Sequence, residues 1–152
     1  MSKWYAANPR LIIGLESSEY VSIQIIRRCY PEATDYDDGN WLDVQIEVRA
    51  GAWFGRFKGC LRAEEFEAFR HEIAALHEQL EGTAEFSPME PWINLKLSGN
   101  GRGGIELEGE AIDQVGTGNT LKFGWEMDQT YLPGIIRALD SIIGQFPVVG
   151  RK

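Results

Sequence analysis

The side chains best able to do chemistry in this chain are two cysteines, two histidines, a glycine-rich segment and a row of carboxylates. Cys29 and Cys60 stand in apolar, strand-like runs, Ile25-Ile26-Arg-Arg-Cys29 and Phe57-Lys-Gly-Cys60-Leu61. Cysteines in such settings behave as small buried hydrophobes, and that is expected here in preference to a reactive or bridged pair. His71 and His77 fall on one helical segment, six residues apart. At that spacing they project in different directions around the helix and cannot chelate one metal ion together. With Glu72 and Glu78 beside them they read as solvated helix surface. No Gly-x-Ser-x-Gly elbow is present, so no nucleophile–base pairing is visible.

Gly99-Asn-Gly101-Arg-Gly-Gly104 matches G-x-G-x-x-G literally. A dinucleotide site needs those glycines to open a helix, whose free amides receive the pyrophosphate. Ile105-Glu-Leu107-Glu follows instead, which alternates as a strand does, so the glycines are better assigned to a hairpin loop. Asp35-Tyr-Asp37-Asp38-Gly39-Asn40 hints at a calcium loop, but Gly39 stands where an oxygen ligand is needed. An Asx-type turn leading into Trp41 accounts for it. No cofactor and no metal are expected.

Glu106, Glu108 and Glu110 are the more informative set. On a strand, alternate side chains share a face and repeat roughly every 7 Å, so these three carboxylates form a stripe of negative potential. Asp43, Glu47 and Glu126 extend it if their strands neighbour it. Arg56, Lys58, Lys96 and Lys122 could instead pair across strands and leave an ordinary solvated surface. The functional alternative is a docking face for a cationic protein, where long-range attraction speeds association. Trp4, Tyr5 and Trp92 fit no buried stripe, and each suits an interface centre or the edge of the core.

The elements that must position these groups follow from hydrophobic periodicity. Val21, Ile23 and Ile25 alternate with polar residues, as do Leu42, Val44, Ile46 and Val48, and then Trp53, Phe57 and Leu61. That is the pattern of half-buried strands. Tyr30-Pro31 through Asn40 reads as a polar connection, and Ala50-Gly51 as a tight hairpin turn. Phe66, Phe69, Ile73, Leu76 and Leu80 then recur at three and four, one stripe of a helix that begins with Glu64 and Glu65 and stops at Gly82. Strand signals return at Ala84–Phe86, Ile93–Leu97, Ile105–Leu107 and Leu121–Trp125, with a turn or loop at Asp113–Asn119. Leu132, Ile135, Ile136, Leu139, Ile142 and Ile143 share one face of a last helix, with Asp128 or Thr130 available as its cap and Pro147 as its stop. No internal sequence repeat is visible. The expected class is α+β: an antiparallel, meander-like sheet of about 6–8 strands with two amphipathic helices packed on one face, in the order strands, helix, strands, helix.

Size and composition agree. A chain of 152 residues is most simply one domain, residues 1–152, with 1–10 as a loose N-terminal arm. It buries roughly 70% of its unfolded surface, enough for a core without disulfide or metal. The formal charge of −8 disfavours nucleic acid as a direct partner and suits either solubility or a basic protein partner. Leu11-Ile12-Ile13 is too short for a signal or membrane segment, so a cytoplasmic protein is expected, with no membrane contact.

The ordered set of Asp38-Gly-Asn-Trp41-Leu42, Gly55-Arg-Phe-Lys-Gly, Glu64-Glu-Phe-Glu-Ala-Phe69, the Gly-Gly-Ile-Glu-Leu-Glu-Gly strand at 103–109 and Asp128-Gln-Thr-Tyr-Leu132 resembles the WapI-type bacterial immunity protein family across most of residues 11–147. The resemblance implies a small cytoplasmic, non-enzymatic protein that protects its producer or a neighbour by binding a cognate toxin domain. In the WapI system such toxins are nucleases acting on tRNA, and the implied mechanism is stoichiometric occlusion, as in contact-dependent inhibition. A structural or adaptor module is the alternative reading, and a small hydrolase with a dispersed site a distant third.

Overall fold

The computed structural model describes residues 8–151. Two antiparallel meanders of four strands each, β1-β2-β3-β4 and β5-β6-β7-β8, are each followed by a long helix. The first comprises β1 (Arg10–Leu15), β2 (Glu19–Arg28), β3 (Trp41–Ala50) and β4 (Trp53–Arg62). A one-turn helix α1 (Tyr36–Gly39) sits between β2 and β3, and α2 (Ala63–Gln79) follows β4. The second meander comprises β5 (Glu81–Phe86), β6 (Ile93–Asn100), β7 (Gly104–Ile112) and β8 (Thr120–Asp128). A 3-10 turn at Gln129–Tyr131 leads into α3 (Leu132–Gln145). The α+β class, the antiparallel meander and the element order are those the periodicity implies. What alternation does not contain is the division of eight strands into two sheets, a break made where α2 stands between β4 and β5.

Register explains the core. Leu11 faces Ile23, Ile23 faces Ile46 and Ile46 faces Phe57, one apolar row across the first sheet. Ala84, Leu97, Leu107 and Trp125 make the equivalent row across the second. These rows, with Phe66, Phe69, Ile73 and Leu76 of α2 and Leu132, Ile135, Leu139 and Ile142 of α3, belong to one contiguous buried cluster, except for half-buried Phe57, which packs against it. The helices pack on each other, α2 against β5 and α3 against β1. Phe86 of β5 lies against Phe66 and Phe69.

The local devices are mostly those expected. Asp128 caps the last helical segment by accepting from the Thr130 amide. The β3–β4 hairpin turns at Gly51–Ala52, one residue beyond the expected Ala50–Gly51, because Ala50 still pairs with Trp53; Gly51 is in the left-handed region at φ 62°. Gly101 and Gly103 take positive φ in a β6–β7 loop whose Arg102 and Gly104 amides donate to Asn100 Oδ1, which is a hairpin and no phosphate cradle. Two further details differ. The polar connection before Trp41 contains α1, nucleated by Asp35 accepting from the Asp38 amide. The left-handed residue that ends α2 is Leu80, at φ 61°, because Gly82 is already paired with Gly99 in β5. Of the expected arm, residues 1–7, including Trp4 and Tyr5, lie outside the described residues. Pro9 accepts from the Ile25 amide, and Arg10 opens β1.

At the start of α2, Glu65 accepts from the amides of Arg62 and Met89. Burial pushes its carboxyl above the ordinary 4.5, against the pull of those two amides. A carboxyl raised on folding stabilises fully below its unfolded pKa, and that contribution is lost as pH rises through its folded value. Unfolding free energy should therefore decline across the window just above pH 4.5. Urea melts at stepped pH check this: the decline should be shallower in Glu65→Gln, and equal slopes would exclude Glu65 as its source.

Candidate partner-binding face

Alternation aims Glu106, Glu108 and Glu110 away from the core, because Ile105, Leu107 and Ala111 of the same strand are buried. Cross-strand register then decides what each carboxylate meets. Glu108 faces Lys96 on β6, and Glu110 faces Lys122 on β8. Glu106 faces Ser98 on one side and Glu126 on the other, two exposed carboxylates directly opposite. A like-charge pair in that position destabilises a sheet, by roughly 0.2–1 kcal/mol. Among the described residues no ion pair within 4.0 Å involves Glu106, Glu108, Glu110 or Glu126.

Asp43 and Glu47 belong to the other sheet, so the structure does not bring them into the stripe. Glu47 is held by Arg56 at 2.6 Å and Arg10 at 3.5 Å, its side chain only 12% exposed. Asp43 pairs with Arg27 at 3.3 Å. Neutralisation by basic residues thus operates on the first sheet through Arg56. On the second it is limited to the facing of Lys96 and Lys122. The carboxylates that share this face are Glu106, Glu108, Glu110 and Glu126, with Lys96 and Lys122 among them.

No side-chain hydrogen bond joins a thiol to a histidine among the described residues. His71 and His77 are exposed on α2. Burial pushes the thiols of Cys29 and Cys60 up, with neighbouring Asp43 adding to the shift. Trp92 is partly buried, its ring over Gly59 and stacked on Phe57, its Nε1 donating to Glu90 at 3.0 Å.

One feature lay outside the reading of the sequence. At the β3–β4 hairpin tip Trp53 is 69% exposed, beside Phe54, over whose ring the guanidiniums of Arg49 and Arg56 lie at 5.1 and 5.5 Å. Trp53 shares the parity of half-buried Phe57 and buried Leu61, which hid it: the strand simply outruns the core at that end.

Among the described residues no helix is long and apolar enough to cross a membrane. No curated protein matches the chain. A solved structure described as "Crystal structures of trypanosoma bruciei MRP1/MRP2" aligns with 91% of this chain and 84% of its own at 11% identity and a TM-score of 0.47, a likeness too slight to carry an argument. The model of the immunity protein WapI-like family matches residues 11–147, so nearly every element just described lies within the match. The chain belongs to the immunity protein WapI-like family.

Proposed function

We propose that this protein is a non-catalytic immunity protein that neutralises a cognate bacterial toxin domain by stoichiometric occlusion, docking it on the acidic face of the second sheet. Family membership supports the immunity role. The observation that carries the choice of face is the Glu106–Glu126 opposition, a like-charge pair whose cost a basic partner would relieve. A toxin that is a nuclease fits, since a cleft that binds phosphate backbones is basic. Occlusion needs no reacting group. Protection of this kind operates in the cytoplasm, as contact-dependent inhibition requires, without direct contact with nucleic acid or membrane.

The test is co-expression with the toxin encoded beside it. A complex at one-to-one ratio is expected, and failure to copurify would favour an adaptor with another partner. Replacing Glu106, Glu108, Glu110 and Glu126 together by Gln should slow association by on the order of tenfold or more and flatten its salt dependence. Trp53→Ala is the competing variant. If it abolishes binding while the Gln variant associates at the wild-type rate, docking is at the aromatic hairpin tip and the acidic face is only solvated surface.

A further inference from the structure

Cys29 and Cys60, thirty-one positions apart in the chain, converge on Asp43. Asp43 Oδ1 lies 3.3 Å from Cys29 Sγ and 3.9 Å from Cys60 Sγ, and the three atoms fall within 4.8 Å of one another. The β3–β4 register places Cys60 directly opposite Asp43. Cys29 arrives through a β-bulge: Ile25 faces Val44, but Arg27, not Ile26, faces Asp43. That extra residue exchanges the faces of everything after it. Cys29, whose amide donates to Trp41, thereby turns to the side of Asp43 and Cys60, when a regular strand would have turned it towards the core.

Two neighbouring thiols could form a disulfide, but the backbone opposes it. Cys29 and Cys60 flank β3 on opposite sides, so their Cα atoms are separated by about two interstrand spacings, roughly 9.5 Å. Disulfides need Cα separations of about 4.4–6.8 Å. A metal ion is the bridge of suitable length. In tetrahedral geometry at a metal–sulfur distance of about 2.3 Å, two sulfurs stand roughly 3.8 Å apart.

We propose that Cys29, Asp43 and Cys60 form a zinc site on the outer face of the first sheet, with a fourth position open to solvent. Two thiolates and a carboxylate suit Zn2+, whereas Cu(I) favours wholly sulfur donors. The second carboxylate oxygen of Asp43 is already held by Arg27 at 3.3 Å, which leaves Oδ1 aimed at the sulfurs. Such an outer partner orients a metal-binding carboxylate. Three anionic ligands are balanced by the ion and Arg27 together, so the loaded cluster is uncharged. All three ligands are partly exposed, which gives the ion a path in. The site is on the opposite sheet from the acidic face and does not depend on the toxin-binding reading.

The test is titration of the reduced, metal-free full chain with zinc chloride by calorimetry, beside Cys29→Ser, Cys60→Ser and Asp43→Asn. One equivalent should bind the wild type, each serine variant should lose on the order of 100-fold in affinity, and Asp43→Asn should lose less. Equal affinity in the Cys29→Ser/Cys60→Ser double variant, or no binding by the wild type, overturns the proposal. A measurement on the wild type alone guards against misfolded variants. Zinc should slow alkylation of both thiols by on the order of tenfold, with EDTA restoring the rate. An unchanged rate refutes the site. So does rapid conversion of the metal-free thiols to an intramolecular disulfide, which would make the pair a redox couple.

Discussion

Arg62→Met should cost about 3–5 kcal/mol of folding free energy, the loss typical of removing one partner from a buried ionic network. Arg62 is only 4% exposed and stands at the junction of β4 and α2. Its guanidinium donates to the carbonyls of Asp37 at 2.8 Å and Tyr36 at 2.7 Å and pairs with Glu64. It lies over the rings of Tyr36 and Trp41, at 5.3 and 4.8 Å from their centroids. Methionine keeps much of the volume but none of the donors. The two carbonyls lose their partner, and Glu64, whose Oε1 is already buried without a hydrogen bond, becomes an uncompensated charge. Arg62→Lys should recover little, because one ammonium cannot replace a planar fork between two aromatic rings. Adding Glu64→Gln to Arg62→Met should restore part of the loss, since it removes the stranded carboxylate. Urea unfolding followed by tryptophan fluorescence measures all four proteins. A loss below about 1 kcal/mol for Arg62→Met would mean that α1 moves away and water solvates the gap.

The second large effect is expected at Phe86. Phe86→Ala should also lose about 3–5 kcal/mol, from lost transfer energy and the cavity left behind. Phe86 is 1% exposed, with its ring 5.4 Å from that of Phe66 and 5.3 Å from that of Phe69. It sits on β5, at the edge of the second sheet, and these rings are where that sheet grips α2. Phe86→Leu should lose less, because most of the volume stays. Because Phe86 and Phe66 touch, the Phe66→Ala/Phe86→Ala double variant should fall short of the sum of the singles. Additive losses would show that the two rings do not share a cavity, and chemical denaturation of the four proteins decides it.

Much of this architecture is legible along the chain because short-range periodicity is a direct imprint of burial. Val21, Ile23 and Ile25, or Ile105 and Leu107, can alternate only if one side of a strand faces a core, and Phe66, Phe69, Ile73 and Leu76 can share a stripe only on a helix. Loop chemistry is equally local: Gly101 and Gly103 need positive φ whatever the rest of the chain does. Part of the thiol cluster was also within reach. Counting back from the hairpin brings Asp43 opposite Cys60 only when the turn is Gly51–Ala52; a turn at Ala50–Gly51, as expected from the sequence, would have put Lys58 there.

The remainder depends on partners far away in the chain. No local pattern marks the bulge at Ile25–Arg27 that turns Cys29 towards Asp43, since a bulge is a relation between two strands. Arg62 reads as one more polar strand residue, and only the folding of α1 over it turns it into a buried cation. The acidic face was half visible. Glu106, Glu108 and Glu110 announce it by spacing, but pairing alone opposes Glu126 to Glu106 and sends Asp43 and Glu47 to the other sheet. By itself the sequence determined which residues are inside, which elements they form and in what order, because burial acts on each side chain where it stands. Tertiary structure alone decided which strands are neighbours, and so which charges face each other and which thiols meet, because a sheet joins residues by hydrogen bonds indifferent to their distance along the chain.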